Sequence, residues 1–310
     1  MRNSTPVVSF ILTPYGHIGL LRYLYFSFIF LWYIFIVLAN SSLVLVICLE
    51  RQLHEPMYLF LCSLFVNEIY ASSTVYPCLL SQMLSEKHEV SRSYCLLQVY
   101  CLYSSASVEF CSLAAMAYDR YVSICYPLHY SVIMSTRRVR HITTLIWVSS
   151  LVNFTICFSF TVQLEFCGNL IDKVFCDHYL VIKLACSMSA LADGFDLLFA
   201  FVAILLPLTL IFFSYIKILY ICLKTTKETK QKALSTCAPQ IISLANLLIG
   251  CIYHFADTRL NVTVNHLHPQ LRVLLSVYLL LCQPLLSPLM YGLNLSKIRH
   301  ACKRLLFSRK

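Results

Sequence analysis

Residues 23–49 read YLYFSFIFLWYIFIVLANSSLVLVICL, a run of 27 residues without a single formal charge. About 20 largely apolar residues in a helix cross the roughly 30 Å of bilayer hydrocarbon, so this run is long enough to span a membrane. The rest of the chain has the same character, because 59% of its 310 residues are apolar, only 12% are charged, and the mean hydropathy is +0.74. Such a composition excludes a soluble globular domain.

Six further segments of the chain resemble this run. They predict an all-α membrane protein whose core is a seven-transmembrane helix bundle over residues 23–296. The bundle belongs to a single domain, 1–310, with an extracellular amino terminus at 1–22 and a cytoplasmic tail at 297–310. Four of the segments carry no formal charge, namely 141–164, 197–216, 233–256 and 273–296. Two are each interrupted by one glutamate, namely 56–85 and 93–118.

The distribution of Lys and Arg predicts the orientation, because basic residues near span ends are retained on the cytoplasmic side. With the amino terminus outside, the cytosolic segments hold 16 of the 24 basic residues and carry a net charge of +12, whereas the outer segments carry a net charge of zero. This indicates a multi-pass plasma-membrane protein with a cytoplasmic carboxyl terminus. Asn3 begins a glycosylation pattern on the outer end. The scattered basic residues favour membrane lipid as a partner and argue against nucleic acid.

Sixteen cysteines separate by location. Cys95, at the outer start of the third span, faces an oxidising compartment together with Cys167, Cys176 and Cys186 in the long loop after the fourth span. These four allow three pairings. One bridge with two free thiols is the alternative, but an even set on one side of the membrane favours two disulfides. The chain contains neither a C-x-x-C nor a His-x-x-x-His spacing, so no metal site is predicted.

Several motifs resemble those of one family. The stretch MAYDRYVSICYPLHY at 116–130 resembles the vertebrate odorant receptors, a group of rhodopsin-like G-protein-coupled receptors. Nearly the whole chain shares the resemblance, and its last outer loop and its ending resemble the fish-like subgroup. The companion motifs are PMYLFLCSLFVNEI at 56–69, EFCGNLIDKVFCDHYLVIKLACS at 165–187, SYIKI at 214–218, KALSTCA at 232–238 and PLLSPLMYGLNLSKIR at 284–299.

The resemblance implies an activation mechanism at the inner end of the third helix. Asp119 holds the guanidinium of Arg120, next to Tyr121, while the receptor is silent. When the helices part, the freed Arg120 reaches Tyr215 on the fifth helix and Tyr291 on the seventh. The alternative is an ordinary interfacial ion pair, and the surrounding fifteen residues argue against it. The resemblance also implies that Cys95 pairs with Cys176 and Cys167 with Cys186.

Glu68 and Glu109 are acids within the predicted bundle, where charge is costly and residues of this kind face the interior with a role. With Asn40 they either share a proton or hold a cation, and a sodium ion is the candidate cofactor. The family usually has Asp in place of Glu68, whereas Glu at the position of Glu109 is typical of odorant receptors. Ser287 replaces the Asn usual before Pro288, which weakens the sodium interpretation and leaves a protonated, hydrogen-bonded pair as the alternative.

The sixth helix departs from the family. Pro239-Gln240 stands where Ser-His is usual, and Leu247-Leu248-Ile249 stands where Phe-Tyr-Gly is usual. This helix carries much of the activation motion in relatives, so its switch is expected to differ here. Pro239 is expected to kink it.

A ligand pocket is expected in the outer half of the bundle. The third helix offers one face of small and aromatic residues, and the other helices supply facing walls, all of which suit small organic molecules. Plain helix packing is the alternative for each residue. The predicted lining is Leu102, Tyr103, Ala106, Ser107 and Phe110, then Phe199 and Ala203, Cys251, Ile252 and Phe255, and Val277 and Leu281.

Arg259, about one turn above Phe255, is a candidate counter-ion for an acidic odorant, assisted by His254. The alternative is a surface ion pair with Asp257. Beyond the seventh span, the spacing of apolar residues among basic ones predicts an amphipathic helix on the inner membrane surface. Cys302 in this helix is a palmitoylation candidate, with a plain buried thiol as the alternative. The apolar positions are Ile298, Ala301, Cys302, Leu305 and Leu306.

These observations together predict an odorant receptor of olfactory sensory neurons that activates a stimulatory heterotrimeric G protein and raises cyclic AMP. It is not an enzyme. A non-olfactory G-protein-coupled chemoreceptor remains an alternative within the same class. A transporter or channel is the alternative of another class, but it predicts internal repeats or paired broken helices, which the sequence lacks. An intramembrane hydrolase is weaker, because no nucleophile or metal-ligand set accompanies Glu68 and Glu109.

Overall fold

The computed structural model describes residues 7–15, 21–187, 201–224, 226–260 and 277–307, together with residues 194, 198, 199 and 275. Within these residues, eight long helices make up most of the structure. They are α1 Leu21–Leu49, α2 Pro56–Leu84, α3 Arg92–Cys125, α4 Thr136–Val162, α5 Leu206–Leu223, α6 Lys227–Phe255, α7 Tyr278–Asn294 and α8 Ser296–Phe307. Short helices at Tyr130–Ile133 and His178–Lys183 lie in the loops, and π-helical turns at Phe201–Leu205 and Ala256–Leu260 precede α5 and follow α6.

Local signals in the sequence explain where several helices begin. The Ser91 hydroxyl accepts a hydrogen bond from the Tyr94 N–H at the start of α3, and Ser135 does the same for Arg138 at the start of α4. These contacts satisfy N–H groups that the first helical turn leaves free. Pro56 starts α2, where its missing N–H costs nothing.

Among the residues that the structure describes, five helices are long and apolar enough to cross a membrane, namely Leu21–Leu49, Arg92–Cys125, Thr136–Val162, Phe201–Leu223 and Cys237–Thr258. Helix α2 has 29 residues, which is long enough to cross the bilayer. On α1, the side chains of Leu24, Leu31, Leu38 and Leu45 are all exposed, and their spacing of seven residues places them on one stripe of the helix. Such an apolar stripe is stable in lipid rather than in water. The predicted all-α membrane fold with its helix bundle is therefore confirmed.

Helix α3 lies at the centre of the bundle and contacts α2, α4, α5 and α6. Helix α7 packs against α1, α2 and α6, and α8 packs back onto α1. The buried side chains form one large cluster around the first half of α3 and further clusters toward its carboxyl-terminal end. This central position of α3 brings its polar residues into contact with partners on almost every other helix.

A small sheet covers the end of the bundle at which α3 begins, where no strand is predicted from the sequence. Strand β1, Ser9–Leu12, pairs antiparallel with β2, Glu89–Ser91, and parallel with β3, Leu170–Ile171. Phe10 and Leu12 on β1 are fully buried, and the nearby Tyr15 hydroxyl donates to the Val174 carbonyl at 2.8 Å. The amino-terminal segment is thus joined to the loops that follow α2 and α4.

Two disulfides hold the long outer loop. Cys95 at the start of α3 bonds to Cys176, and Cys167 bonds to Cys186 within the loop. These are the two pairings that the family resemblance implies. Arg92, one helical turn before Cys95, donates to the carbonyls of Val162 and Leu164 and so ties the loop to α3 again.

Candidate functional site

The carboxyl-terminal end of α3 holds the charged pair that the sequence singles out. Arg120 Nη2 lies 2.5 Å and Arg120 Nε lies 3.2 Å from Asp119 Oδ2, so both donate to the same carboxylate oxygen. The other oxygen, Asp119 Oδ1, accepts from the Tyr130 hydroxyl at 2.8 Å. Asp119 is fully buried. Its carboxylate therefore has a partner on each oxygen, and the pair is more than a surface contact.

The contact of Tyr130 with Asp119 is not predicted from the sequence, although Tyr130 is the last residue of the stretch 116–130. It belongs to the short helix Tyr130–Ile133 after α3. Burial, and then the neighbouring Asp119 carboxylate, raise the pKa of Tyr130, so it remains a protonated donor. Tyr121 faces the opposite way and donates to the Tyr126 hydroxyl at 3.4 Å. The loop after α3 thus stabilises the acid, not the arginine.

The two tyrosines predicted to receive Arg120 are both within the bundle. Tyr291 on α7 is buried, and Tyr215 on α5 packs against the cluster of Ile218, Cys222 and Cys237. Among the residues that the structure describes, neither hydroxyl has a hydrogen-bond partner. A buried hydroxyl in this condition costs about 1–3 kcal/mol. Both tyrosines would therefore gain from a new polar partner.

The intramembrane acids have different partners. Glu68 on α2 accepts from the Ser287 hydroxyl of α7 at 3.3 Å, as their shared grouping in the sequence analysis suggests. Glu109 on α3 instead accepts from Gln283 of α7. Asn40 contacts neither acid. Its Nδ2 donates to the carbonyls of Ile36 and Pro284, each at 2.9 Å.

The contact of Asn40 follows from the prolines of α7. Pro288 has no N–H, so the carbonyl of Pro284 four residues earlier loses its helical donor. Asn40 supplies the missing bond. By the same reasoning Pro284 leaves the carbonyl of Leu280 free, and the hydroxyl of Tyr76 on α2 donates to it at 3.1 Å. Helices α1 and α2 thus satisfy the broken backbone of α7, which is essential where water is absent.

Several polar residues of the bundle core have no role in the sequence analysis. Gln283 and Tyr278 of α7 join Asn246 and Ser243 of α6 in one hydrogen-bonded group with Glu109. Gln240 of α6 donates to the Leu113 carbonyl of α3 at 2.6 Å. A polar residue in an apolar span was the only available signal, and it does not indicate which partner the residue meets.

The predicted ligand residues divide into groups. Tyr103 stacks on Phe154 with ring centroids 5.7 Å apart, and Phe199 lies 4.9 Å from the same Phe154. Ala203 and Val277 are buried beside them, with Leu102 and Leu281 partly buried, whereas Cys251 packs against the neighbouring cluster around Phe110. The Ser107 hydroxyl donates to Ser150 of α4, so Ser107 faces α4. Phe110 is fully buried in helix packing, and Ala106 is partly buried.

Two predicted lining residues of α6 are wrong. Ile252 is 67% exposed and Phe255 is 57% exposed, on the outward side of the helix with Ile249. The inward side of α6 includes the buried polar residues Ser243 and Asn246 and the partly buried Cys251. Hydrophobicity alone cannot separate a lipid-facing from a pocket-facing residue, because both surroundings are apolar.

A group of charged residues joins the long outer loop to the outer end of α6. Lys173 Nζ lies 2.6 Å from Thr258 Oγ1, 3.3 Å from His254 Nδ1 and 3.4 Å from Asp257 Oδ2. His254 Nε2 lies 2.9 Å from Asp177 Oδ2. Burial alone would raise the pKa of Asp177, but the contacts with His254 and Lys173 lower it below its usual value. His254 and Asp257, predicted as neighbours of Arg259, contact the loop; the side chain of Arg259 lies outside the described residues.

The carboxyl-terminal segment forms the predicted amphipathic helix, α8. Ile298 and Ala301 are buried, Leu305 packs beside them, and Cys302 is partly buried. The side chain of Leu306 lies outside the described residues. Lys297 contacts Glu55 at 2.6 Å, and Arg304 contacts Glu50. Asn3 also lies outside the described residues, so its glycosylation stays a prediction.

Comparison with known proteins identifies the family of this chain. The family model for olfactory receptors matches residues 28–309. Olfactory receptor 2K2 of Homo sapiens is 35% identical over 283 residues, which cover 91% of this chain and 88% of that protein. Olfactory receptor 6B9 of Mus musculus is 33% identical over 309 residues, which cover 98% of this chain and 95% of that protein. The match extends over nearly the whole length of both proteins. This chain belongs to the olfactory receptor family.

Proposed function

We propose that this chain is an odorant receptor that couples a small organic odorant to a heterotrimeric G protein of the stimulatory olfactory type, which raises cyclic AMP. Olfactory receptors are not enzymes, so no catalytic residue enters the mechanism. The observation that carries the proposal is the cytosolic end of α3, where the buried Asp119 holds Arg120. Signalling requires the odorant to bind more tightly to the state in which Arg120 is released than to the silent state. A ligand with equal affinity for both states does not change their populations.

The surroundings of Arg120 support an exchange of partners. In the silent state its guanidinium is paired with Asp119, while the buried hydroxyls of Tyr215 and Tyr291 have no hydrogen bond within the described part of the chain. Arginine has five N–H donors and can serve more than one acceptor. Moving Arg120 would satisfy both tyrosines, and Tyr130 would still partner Asp119. The two states are therefore close enough in free energy for a ligand to choose between them.

Two groups of residues support an odorant site in the outer half. Tyr103, Phe154 and Phe199 form an aromatic surface, which suits small apolar molecules. Lys173 and His254, whose Nζ and Nδ1 atoms lie 3.3 Å apart, belong to the polar group where the long outer loop meets α6. A ligand with an apolar body and one polar group would match both.

A sodium ion is a further element of this proposal. The buried oxygens Asn40 Oδ1 and Ser72 Oγ have no hydrogen-bond partner among the described residues, and Ser72 follows Glu68 by about one turn of α2. Oxygen atoms of this kind suit a hard cation. Because Glu109 accepts from Gln283, the ion would depend on Glu68 with these neutral oxygens.

The proposed setting is the plasma membrane of an olfactory sensory neuron, with the amino terminus outside and α8 on the cytosolic surface. The net charge of +12 on the segments predicted to be cytosolic supports this orientation. Glycosylation at Asn3 and palmitoylation at Cys302 agree with it. The fish-like subgroup stays a prediction from the ending of the chain.

Arg120→Ala tests the proposal. Cells expressing the receptor would be screened with acids, amines, alcohols and amino acids against a cyclic AMP reporter. We expect the variant to reach the cell surface and lose the response, because no other donor replaces the guanidinium. Arg137→Ala, which removes an exposed arginine at the start of α4, is the matched control and should respond normally. A full response from Arg120→Ala would refute the mechanism.

A further inference from the structure

One continuous hydrogen-bonded chain crosses the bundle core. The Tyr278 hydroxyl donates to Asn246 Oδ1 at 2.5 Å, and Asn246 Nδ2 donates to Gln283 Oε1 at 2.5 Å. Gln283 Nε2 then donates to Glu109 Oε1, and also to Ser243 Oγ at 3.1 Å. We name this group of five residues the amide relay. It joins α7 to α6, back to α7, and finally to α3.

Three bonds of the amide relay point the same way, from the Tyr278 hydroxyl to the Glu109 carboxyl group, and a fourth branches from Gln283 to Ser243. Both polar atoms of the Asn246 amide and both of the Gln283 amide are used. Gln283, Ser243, Asn246 and Glu109 are all buried. A bond broken at this depth has no water to replace it, so the group forms or separates largely as a unit.

The amide relay includes two residues of α6, a helix in which two stretches depart from the residues usual in the family. Six residues toward the cytosol from Asn246, or about 9 Å along the helix, Gln240 donates to the Leu113 carbonyl of α3. Helix α6 is thus bonded to α7 and α3 at two levels. Gln240 occupies one of the two stretches in which this chain departs from the residues usual in the family.

We propose that the amide relay, centred on Asn246 and Gln283, is the positioning element that holds α6 in the silent arrangement of this receptor. Asn246 and Gln283 act through α6 and do not themselves contact the G protein. Tyr278 is the relay's outer end and directly follows Val277 of the predicted ligand wall. A ligand that draws the Tyr278 hydroxyl away would release α6. This inference rests on the proposed function, since it assigns a regulator to the same signalling site.

Asn246→Leu tests the relay with a side chain of similar size. It removes two interhelical hydrogen bonds, each of which shifts an equilibrium in a membrane about threefold. We expect the ligand-free cyclic AMP signal per receptor at the surface to rise about eightfold. Gln283→Leu should give a rise of similar size, and the double variant should exceed neither by much, because the bonds act as a unit. Tyr278→Phe, which loses only the end hydroxyl, should give about threefold.

Asn67→Leu is the matched control. Asn67 is equally buried, but its amide donates to the Ser105 carbonyl at 3.1 Å and so joins α2 to α3, leaving α6 untouched. Its ligand-free signal should stay at the level of the unmodified receptor. Adding Arg120→Ala to Asn246→Leu should abolish the raised signal. Misfolding lowers a signal per surface receptor, so a rise cannot be produced by damage alone.

A second measurement does not need the G protein. Spin labels at Arg137 and Gln231 report the distance between the cytosolic ends of α4 and α6. They are introduced through noncanonical amino acids, because the chain has sixteen cysteines. This distance should lengthen in Asn246→Leu and stay constant in Asn67→Leu. If no variant signals but the distance lengthens, the proposed coupling fails and the relay stands. An unchanged distance in Asn246→Leu, or an equal rise in Asn67→Leu, would overturn the relay. So would an unchanged or lower signal in Asn246→Leu when the unmodified receptor responds to odorants.

Discussion

The hydrogen bond from Asn40 of α1 to α7 depends on a proline in α7, which removes a backbone N–H donor. Pro288 deprives the Pro284 carbonyl of its helical donor, and Asn40 Nδ2 supplies one at 2.9 Å. Asn40→Leu should leave that buried carbonyl without a partner, which costs about 1–3 kcal/mol. Interhelical hydrogen bonds in membranes are at the lower end of this range. We therefore expect a loss of about 1–2 kcal/mol in the free energy of unfolding.

Pro288→Ala provides the discriminating background, because it adds the N–H that the Pro284 carbonyl lacks. In this background Asn40→Leu should cost much less, so the two changes should show a coupling energy of about 1 kcal/mol. Unfolding of the purified receptor in detergent, followed by the exposure of its buried thiols to a fluorescent reagent, measures all four proteins of the cycle.

Pro284→Ala is the matched control for this cycle. It restores the donor for the Leu280 carbonyl, which Tyr76 serves at 3.1 Å, and leaves the Pro284 position's own carbonyl dependent on Asn40. Asn40→Leu should therefore add to Pro284→Ala without coupling, whereas Tyr76→Phe should couple to it. Purely additive costs for Asn40→Leu with Pro288→Ala would show that the carbonyl is not what Asn40 stabilises, and the reasoning would be refuted.

Three further outcomes follow. Tyr130→Phe removes the donor that Asp119 would keep after Arg120 is released, so it should lower the ligand-free signal about threefold to fivefold, whereas Tyr126→Phe should leave it unchanged in the same cyclic AMP assay. Replacing Cys167 and Cys186 together by Ser removes a disulfide within the outer loop and should cost about 2–4 kcal/mol, so surface labelling of intact cells should fall; labelling equal to that of the unmodified receptor would argue against a structural role. Because the pKa of Asp177 is lowered in the folded state, the stability that this carboxylate contributes is present above about pH 4 and is lost as the pH falls below that value. Thermal unfolding measured over a pH series should show a smaller loss of stability in acid for Asp177→Asn than for the unmodified receptor. An identical loss in both proteins would contradict this reasoning.

The spans, the membrane class and the disulfide partners could be predicted because their signals are local or carried by the family resemblance. Hydropathy places Leu21–Leu49 in the bilayer whatever the helix touches. The pair Asp119-Arg120 is adjacent in the chain, so its contact needs no long-range packing. Rotation of a helix about its axis is different, because lipid and a packed interior are both apolar. That ambiguity put Ile252 and Phe255 of α6 on the wrong face.

The hydrogen-bond partners of buried polar residues on other helices could not be predicted from the sequence for a related reason. Glu109 could have met Glu68 or Asn40, and it meets Gln283, because helix positions and rotations select one donor among several buried ones. Strand β1 likewise becomes a strand only when the loops after α2 and α4 present edges to it. Composition and spacing are thus sufficient to put this chain in the membrane as a helix bundle. Its polar contacts depend on three-dimensional packing, since a buried hydrogen bond is decided by angle and distance between residues far apart in the chain.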